Sequence, residues 1–344
     1  MQALVITTIG ETAFRTVDPP TPAKGEVLLR VGHVGLCGSD LNTFRGLNPL
    51  SALPRIPGHE IGGTILGAGA DVPAEFAPGK RAIVIPYTAC GTCSACRRNR
   101  PNACKNNQTL GVQRDGGMSD LLCVPHDKLI LNDTLSLPQL ALVEPLSVGF
   151  HAVDRGHVSA EDTVLVLGAG MIGVGAALGA LARGARVIVS EVSDTKSDVL
   201  KALGASAVIN PMTEDLHARV ADLTEGHGAD VVIEAVGLPD TFRGAVDMAC
   251  FAGRVVYVGY AKAEVSYNTA LFNLKELDIM GSRNATRADF DAVIAYLETC
   301  PDLPDLLISR TFPWAEADQS FRYWEDNRQD TFKVMIDMQG PSNG

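Results

Sequence analysis

A chain of 344 residues, 46% of them hydrophobic, exceeds the length over which one core keeps growing and has material for two. Its formal charge of −11 argues against nucleic acid or an anionic membrane as partner, since both reward a basic face. The opening MQALVITTIG has no basic n-region and moves straight into strand-like sequence, so a soluble, cytoplasmic protein is expected, and its eight cysteines are expected to be reduced, the clustered ones as metal ligands.

Val27 to Val34 (VLLRVGHV) reads as a strand in a mostly β-type N-terminal region, where short apolar runs alternate with Pro and Gly. It is followed by Gly35-Leu36-Cys37-Gly38-Ser39-Asp40, and then by Pro57-Gly58-His59-Glu60 ahead of a further β-type segment, IGGTIL. Cys37, His59 and Glu60 offer a sulfur, a nitrogen and an oxygen to a zinc ion, and ligands this far apart in sequence suit a catalytic metal with an open position. Taken alone, such residues are more often a buried thiol, a satisfied core histidine and a solvated carboxylate.

The loop Tyr87 to Asn107 carries Cys90, Cys93, Cys96 and Cys104. Two consecutive C-x-x-C steps and a fourth thiol wrap one tetrahedral ion and leave no place for water, which is the pattern of a structural zinc. An iron–sulfur cluster would use similar ligands and is the lesser alternative to zinc here. In the apolar segment Leu140 to Val153, Glu144 precedes Pro145, and a carboxylate in such a setting is costly without a partner. A metal ion, an arginine or a helix cap through Ser147 would each resolve that cost.

From Thr163 to Glu191 an apolar run meets Gly168, Gly170 and Gly173 in the spacing G-x-G-x-x-G, then a small-residue helix pattern, a second apolar run and an acid. Strand, turn, helix, strand and acid make the dinucleotide-binding unit. Its glycines allow a tight turn and close backbone approach, and the helix start at Met171 and Ile172 presents N–H groups to a pyrophosphate. Glu191, 18 residues after Gly173, is placed to accept both ribose hydroxyls and to repel a 2′-phosphate, which predicts NAD over NADP. Lys196 in the next helix belongs to the same candidate site. The uncharged stretch Thr163 to Ala182 is also long enough for a membrane helix, but its five glycines and the β-branched run before them disfavour that reading. The βαβ rhythm continues through ADVVIEAVG, FAGRVVYVGY and ELDIMGS, so a doubly wound parallel sheet is expected, with Val236, Gly237, Val258 and Gly259 lining the nicotinamide half. After Arg283 a helical DFDAVIAYLE and a strand-like TFKVMIDM are expected to return to the first domain. The expected division is 1–150, 151–282 and 283–344.

GLCGSDL, PGHEIGG, the four-cysteine loop, DGGMSDLL, EPLSVGFHAV and GAGMIGVG, in that order, make nearly the whole chain resemble the zinc-dependent medium-chain alcohol dehydrogenases. The Glu-Pro-Leu-Ser-Val segment is most similar to their sorbitol (polyol) and sugar-acid branch. This resemblance implies a mostly-β GroES-like catalytic domain with a zinc-binding lobe, joined to a Rossmann NAD domain. It also implies two zinc ions per subunit and an assembly of dimers or tetramers. By the same resemblance Cys37 and His59 match catalytic zinc ligands, Glu60 and Glu144 share the third position, Ser39 bonds the reacting oxygen, and Asp40 orients His59. Leu41, Asn42 and Thr43 stand where relatives often carry a histidine, so the proton path beyond Ser39 stays open.

The implied reaction moves hydride from a secondary alcohol to nicotinamide while zinc polarises the alcohol oxygen. Ser282-Arg283-Asn284-Ala285-Thr286-Arg287 falls about where polyol enzymes place an arginine near substrate. Arg283 and Asn284 are therefore candidate substrate residues, and two guanidinium groups there suggest an aldonate such as galactonate or idonate. An equal reading has Arg283 ordering the cofactor side or pairing with a domain-closing carboxylate. The competing functions are an amino-alcohol dehydrogenase acting on threonine, a zinc-free quinone reductase and a non-catalytic nucleotide sensor.

Overall fold

The computed structural model describes residues 1–339. The chain divides into two compact units, Met1–Glu144 with the chain from Leu297 onward, and Pro145–Tyr296. These limits differ from those expected at 150/151 and 282/283 because they fall inside two helices, Leu137–Arg155 and Arg287–Thr299. Within the first helix, Leu140 packs on Gly62 of the first unit, whereas Gly149 packs on Ala176 of the second.

In the first unit, the strand Glu26–Gly35 is the centre of a seven-stranded sheet. It pairs antiparallel with Glu60–Ala68, with Leu121–Pro125 and with Lys333–Asp337. Its pattern begins with alternating burial and becomes continuously buried from Val31 to Gly35, as expected where neighbours flank both edges and both faces are covered. The C-terminal strand-like segment therefore joins this sheet, together with Ile308–Pro313, which the apolar periodicity had not disclosed. Gly35 sits opposite Glu60 in one pairing and opposite Met335 in the other. This register brings two elements separated by almost the whole chain beside a single turn.

The second unit is a six-stranded parallel sheet in the order Ala207–Ile209, Arg186–Ser190, Thr163–Leu167, Ala229–Glu234, Ala249–Tyr257, Asp278–Gly281. In chain order this is 3-2-1-4-5-6, the Rossmann arrangement. Thr163–Leu167 and Met171–Ala182 are a strand and a helix on either side of the glycine turn, and no helix of the described residues is long and apolar enough to cross a membrane. Gly168 adopts φ 88°, a left-handed conformation natural to glycine. A Cβ on Gly173 would lie 1.9 Å from the Gly168 carbonyl oxygen, so only glycine lets the helix start against the turn.

Candidate active site

Cys37 caps the short helix Gly38–Phe44, and its backbone N–H donates to Asp40 Oδ2 at 2.9 Å. Asp40 is fully buried; its other oxygen accepts the N–H of Gly58 at 3.2 Å and lies 3.8 Å from His59 Nδ1. One carboxylate thus joins the turn carrying Cys37 to the turn carrying His59, and faces the ring nitrogen that a metal on the opposite nitrogen would leave protonated. Ligand atoms of Cys37, His59 and Glu60 all lie within 4.8 Å of one another. Ser39, in the first turn of the same helix, has a buried hydroxyl with no partner. Thr43 Oγ1 donates to the Ser39 carbonyl rather than meeting its hydroxyl.

Glu60 starts its strand opposite Gly35, where a Cβ would sit 2.0 Å from Glu60 Oε2. The missing side chain is what gives the carboxylate its place. Lys333 Nζ meets both oxygens of Glu60 at 2.6 and 2.5 Å and donates to the Leu36 carbonyl at 2.9 Å. Both side chains are buried, a pair that is costly to break because either charge alone is stranded. Glu144 lies outside the three-ligand group, and Tyr87 donates its hydroxyl to Glu144 Oε1. Burial, reinforced by Glu60, pushes the Glu144 carboxyl up to about 7, against the opposing pull of His59 and Tyr87. Burial and then Glu144 raise the Tyr87 hydroxyl well above its usual value. Burial opposes charge on His59, yet Asp40, Cys37 and Glu144 outweigh it and hold the imidazole well above its ordinary value.

These shifts test whether a cation fits. Three buried carboxyl groups and a thiol share the region with one ammonium, so protons are retained on Glu144 and His59 to limit the negative charge. A divalent ion supplies that charge directly, and the mixed S, N and O donors suit zinc. Among the donors, Glu60 rather than Glu144 completes the close group.

The second cluster is Cys90, Cys93, Cys96 and Cys104. Cys93 Sγ is 3.5 Å from Cys96 Sγ and 4.0 Å from Cys104 Sγ. Those separations bracket the edge of about 3.8 Å expected for a tetrahedron with zinc–sulfur bonds of about 2.3 Å. They are far too long for disulfides, and all four thiols are free. Backbone N–H groups of Thr92 and Cys93 lower Cys90 to about 5, whereas burial and neighbouring sulfur raise Cys96 to about 11. Four thiols this close do not ionise together without a cation.

In the second unit Gly170 caps the helix Met171–Ala182 with no side-chain bond to its first turn, where Met171, Ile172 and Gly173 lie. That leaves backbone donors at a helix start for a phosphate. Glu191 is buried and already engaged: one oxygen accepts Ala169 N–H, the other those of Val192 and Ser193, each at 2.9 Å. Of a carboxylate's roughly four acceptor positions, three are taken. Room remains for one ribose hydroxyl rather than two unless a backbone bond is exchanged. Lys196 is buried one turn into the following helix, Asp194–Ala202.

Glu234, a buried acid at the end of its strand that no motif marks as a site residue, organises the other strand ends. Its Oε1 accepts Val236 N–H, Gly237 N–H and Thr241 Oγ1 at 2.7 to 2.9 Å, and its carbonyl accepts the N–H groups of Val258 and Gly259. Arg283 is exposed, and the neighbouring Asn284 adopts φ 52°. Arg287 pairs with Asp291 at 2.8 Å along its own helix, and both side chains remain more than half exposed. Arg283 and Asn284 belong to the second unit, the zinc-type ligands to the first. Tyr87 and Lys333 were also missed; a lysine amid the apolar TFKVMIDM was the one available signal for the latter.

A family described as alcohol dehydrogenase GroES-like domain matches residues 23–134, and one described as zinc-binding dehydrogenase matches 172–299. The L-galactonate-5-dehydrogenase of Escherichia coli (strain K12) is 33% identical over 336 residues, covering 98% of each chain. The sorbitol dehydrogenase of Halalkalibacterium halodurans is 30% identical over 327 residues, 93% of this chain and 95% of that one. A crystal structure of an alcohol dehydrogenase from Escherichia coli CFT073 complexed with NADH aligns at TM-score 0.91 and 29% identity, covering 98% of this chain and 99% of the other.

Proposed function

The chain belongs to the zinc-binding medium-chain alcohol dehydrogenases, in the polyol and sugar-acid branch, and from that premise we propose that it oxidises a secondary alcohol of a sugar acid such as an aldonate, using NAD. The observation that carries the reading is the convergence of Cys37, His59 and Glu60 on one buried point, with Glu144 beside it. Cys37, His59 and Glu60 would hold a zinc ion that would supply Lewis acidity to the alcohol oxygen, and NAD on the glycine turn would supply the hydride acceptor.

The chain's own residues do the rest. Asp40 holds the turns of Cys37 and His59 in register and orients the imidazole. Lys333 fixes Glu60 by both oxygens, and Tyr87 fixes Glu144. The unpartnered hydroxyl of Ser39 receives the alcohol proton. Cys90, Cys93, Cys96 and Cys104 would hold a second zinc that would tie together the loop Tyr87 to Asn107. Glu191 favours NAD, because a 2′-phosphate would meet a buried carboxylate. The choice of a sugar acid draws support from the relative that is an L-galactonate-5-dehydrogenase.

Stripping metal by chelation should abolish NADH formation while NAD still binds, and added zinc should restore turnover. A metal-free preparation with full activity would refute the assignment.

A further inference from the structure

We propose that Arg114 is the residue that reads the carboxylate of an acidic substrate, a specificity-determining cation on the same unit as the zinc-type ligands; the inference rests on the dehydrogenase reading above. Arg114 is half-buried, its Nε is shut off from solvent with no partner, and its one hydrogen bond runs from Nη2 to the Pro86 carbonyl at 3.3 Å. It makes no ion pair among the described residues. The adjacent carboxylate, Asp115, is committed elsewhere, to Arg55 Nη1 at 2.9 Å and to the N–H of Ile56 at 3.2 Å. Burial lowers the Arg114 guanidinium from its usual value with no nearby acid to offset it. A half-buried cation with a sequestered Nε and no acid beside it has a planar fork that matches a carboxylate.

Its position ties it to the reaction. The Pro86 carbonyl that accepts from Arg114 also accepts the N–H of Leu110, and Pro86 precedes Tyr87, whose hydroxyl holds Glu144. On its other side the same loop is stitched to the turn before His59: Gly116 N–H donates to Ile56, Gly117 N–H to Gly58, and Met118 N–H to Pro57. Arg114 thus sits in a loop anchored at one end beside Tyr87 and at the other beside His59.

The test compares L-galactonate with galactitol, which carries a hydroxymethyl group in place of the carboxylate, in the zinc-loaded full chain. In Arg114→Gln the ratio of kcat/KM for acid over alditol should fall about 10- to 100-fold, chiefly through KM, the range set by charge-assisted hydrogen bonds. Arg114→Lys, which keeps the charge but not the fork, should lose part of that ratio and serves if the glutamine variant does not fold. Binding of L-galactonate measured by calorimetry should weaken in parallel. A ratio that stays within twofold in variants with normal zinc content, or an unaltered protein that prefers galactitol, overturns the assignment of Arg114 while leaving the dehydrogenase reading intact. Arg114-dependent binding without turnover of either compound would instead sustain the carboxylate site and defeat the proposed reaction. An absence of both binding and turnover defeats both.

Discussion

The two metal-type clusters are built on opposite principles. The four cysteines come from a stretch of 15 residues, Cys90 to Cys104, in a loop whose three half-exposed thiols and sparse apolar contacts give it little packing of its own. The other cluster gathers Cys37, His59, Glu60, Tyr87, Glu144 and Lys333, each of which is set by a buried strand, turn or helix. In the first case the ion organises the chain; in the second the chain organises the place for the ion. Local ligands can wait for the metal, whereas distant ones need a framework that has already brought them together.

Substituting one thiol in each cluster should separate these roles. Cys37→Ala is expected to reduce kcat/KM at least about 1,000-fold, since it removes a ligand of a group providing several kcal/mol of charge stabilisation. Its thermal midpoint should move little. Cys104→Ala, at the buried thiol of the loop, should show the reverse: loss of one equivalent of bound zinc, a midpoint lower by about 5–10 °C, and faster proteolytic nicking within 88–107. Metal content, melting curves and steady-state rates of both variants decide it. Equal effects on rate and midpoint in the two would dissolve the contrast.

A smaller effect probes the framework itself. Lys333→Met leaves Glu60 buried without its cation, which should cost the zinc-depleted protein about 3–5 kcal/mol in urea unfolding. Glu60→Gln combined with Lys333→Met should recover most of that loss, because the stranded charge is gone. A single variant within about 1 kcal/mol of the parent would mean that the pair does not hold the cluster together.

Legibility followed the same division. The cysteine loop announced itself by spacing, and the glycine turn with its two strands by an unbroken local pattern, so both stood in the sequence much as they stand in space. Cys37, His59 and Glu144 carried no such signal; only the resemblance of the whole chain joined them. Lys333 lies 273 residues from Glu60, and nothing in the apolar rhythm of its strand marks an ion pair that depends on strand register. Tyr87 read as the first residue of the loop, although its hydroxyl serves Glu144. Glu191 was legible as an acid after the second strand, but its three backbone donors were not, because they arise from the path of the turn around it. Ile308–Pro313 escaped because a short edge strand containing Ser, Arg, Thr and Pro has little alternation to detect.

The pH response sharpens the comparison last. In the zinc-depleted protein Glu144 titrates near 7 when folded and near about 4.3 when unfolded. Its stabilising contribution is therefore complete below the unfolded value and is lost as pH rises through about 7. His59 has the same sign: its folded value lies well above its ordinary one, so its contribution is present below about 6.5 and declines as pH climbs through the folded value. The loop differs, since Cys90 is lowered and Cys96 raised, and their contributions run in opposite directions. Between pH 5 and 8 the urea midpoint of the zinc-depleted protein should fall, and Glu144→Gln should flatten the curve because a neutral amide has no proton to lose. Zinc-loaded protein should also lack the Glu144 component of the decline, as the ion removes the reason to retain that proton. A zinc-depleted midpoint that rises over this range, or a decline unaltered by Glu144→Gln, would show that the buried acids are not balancing charge for a cation.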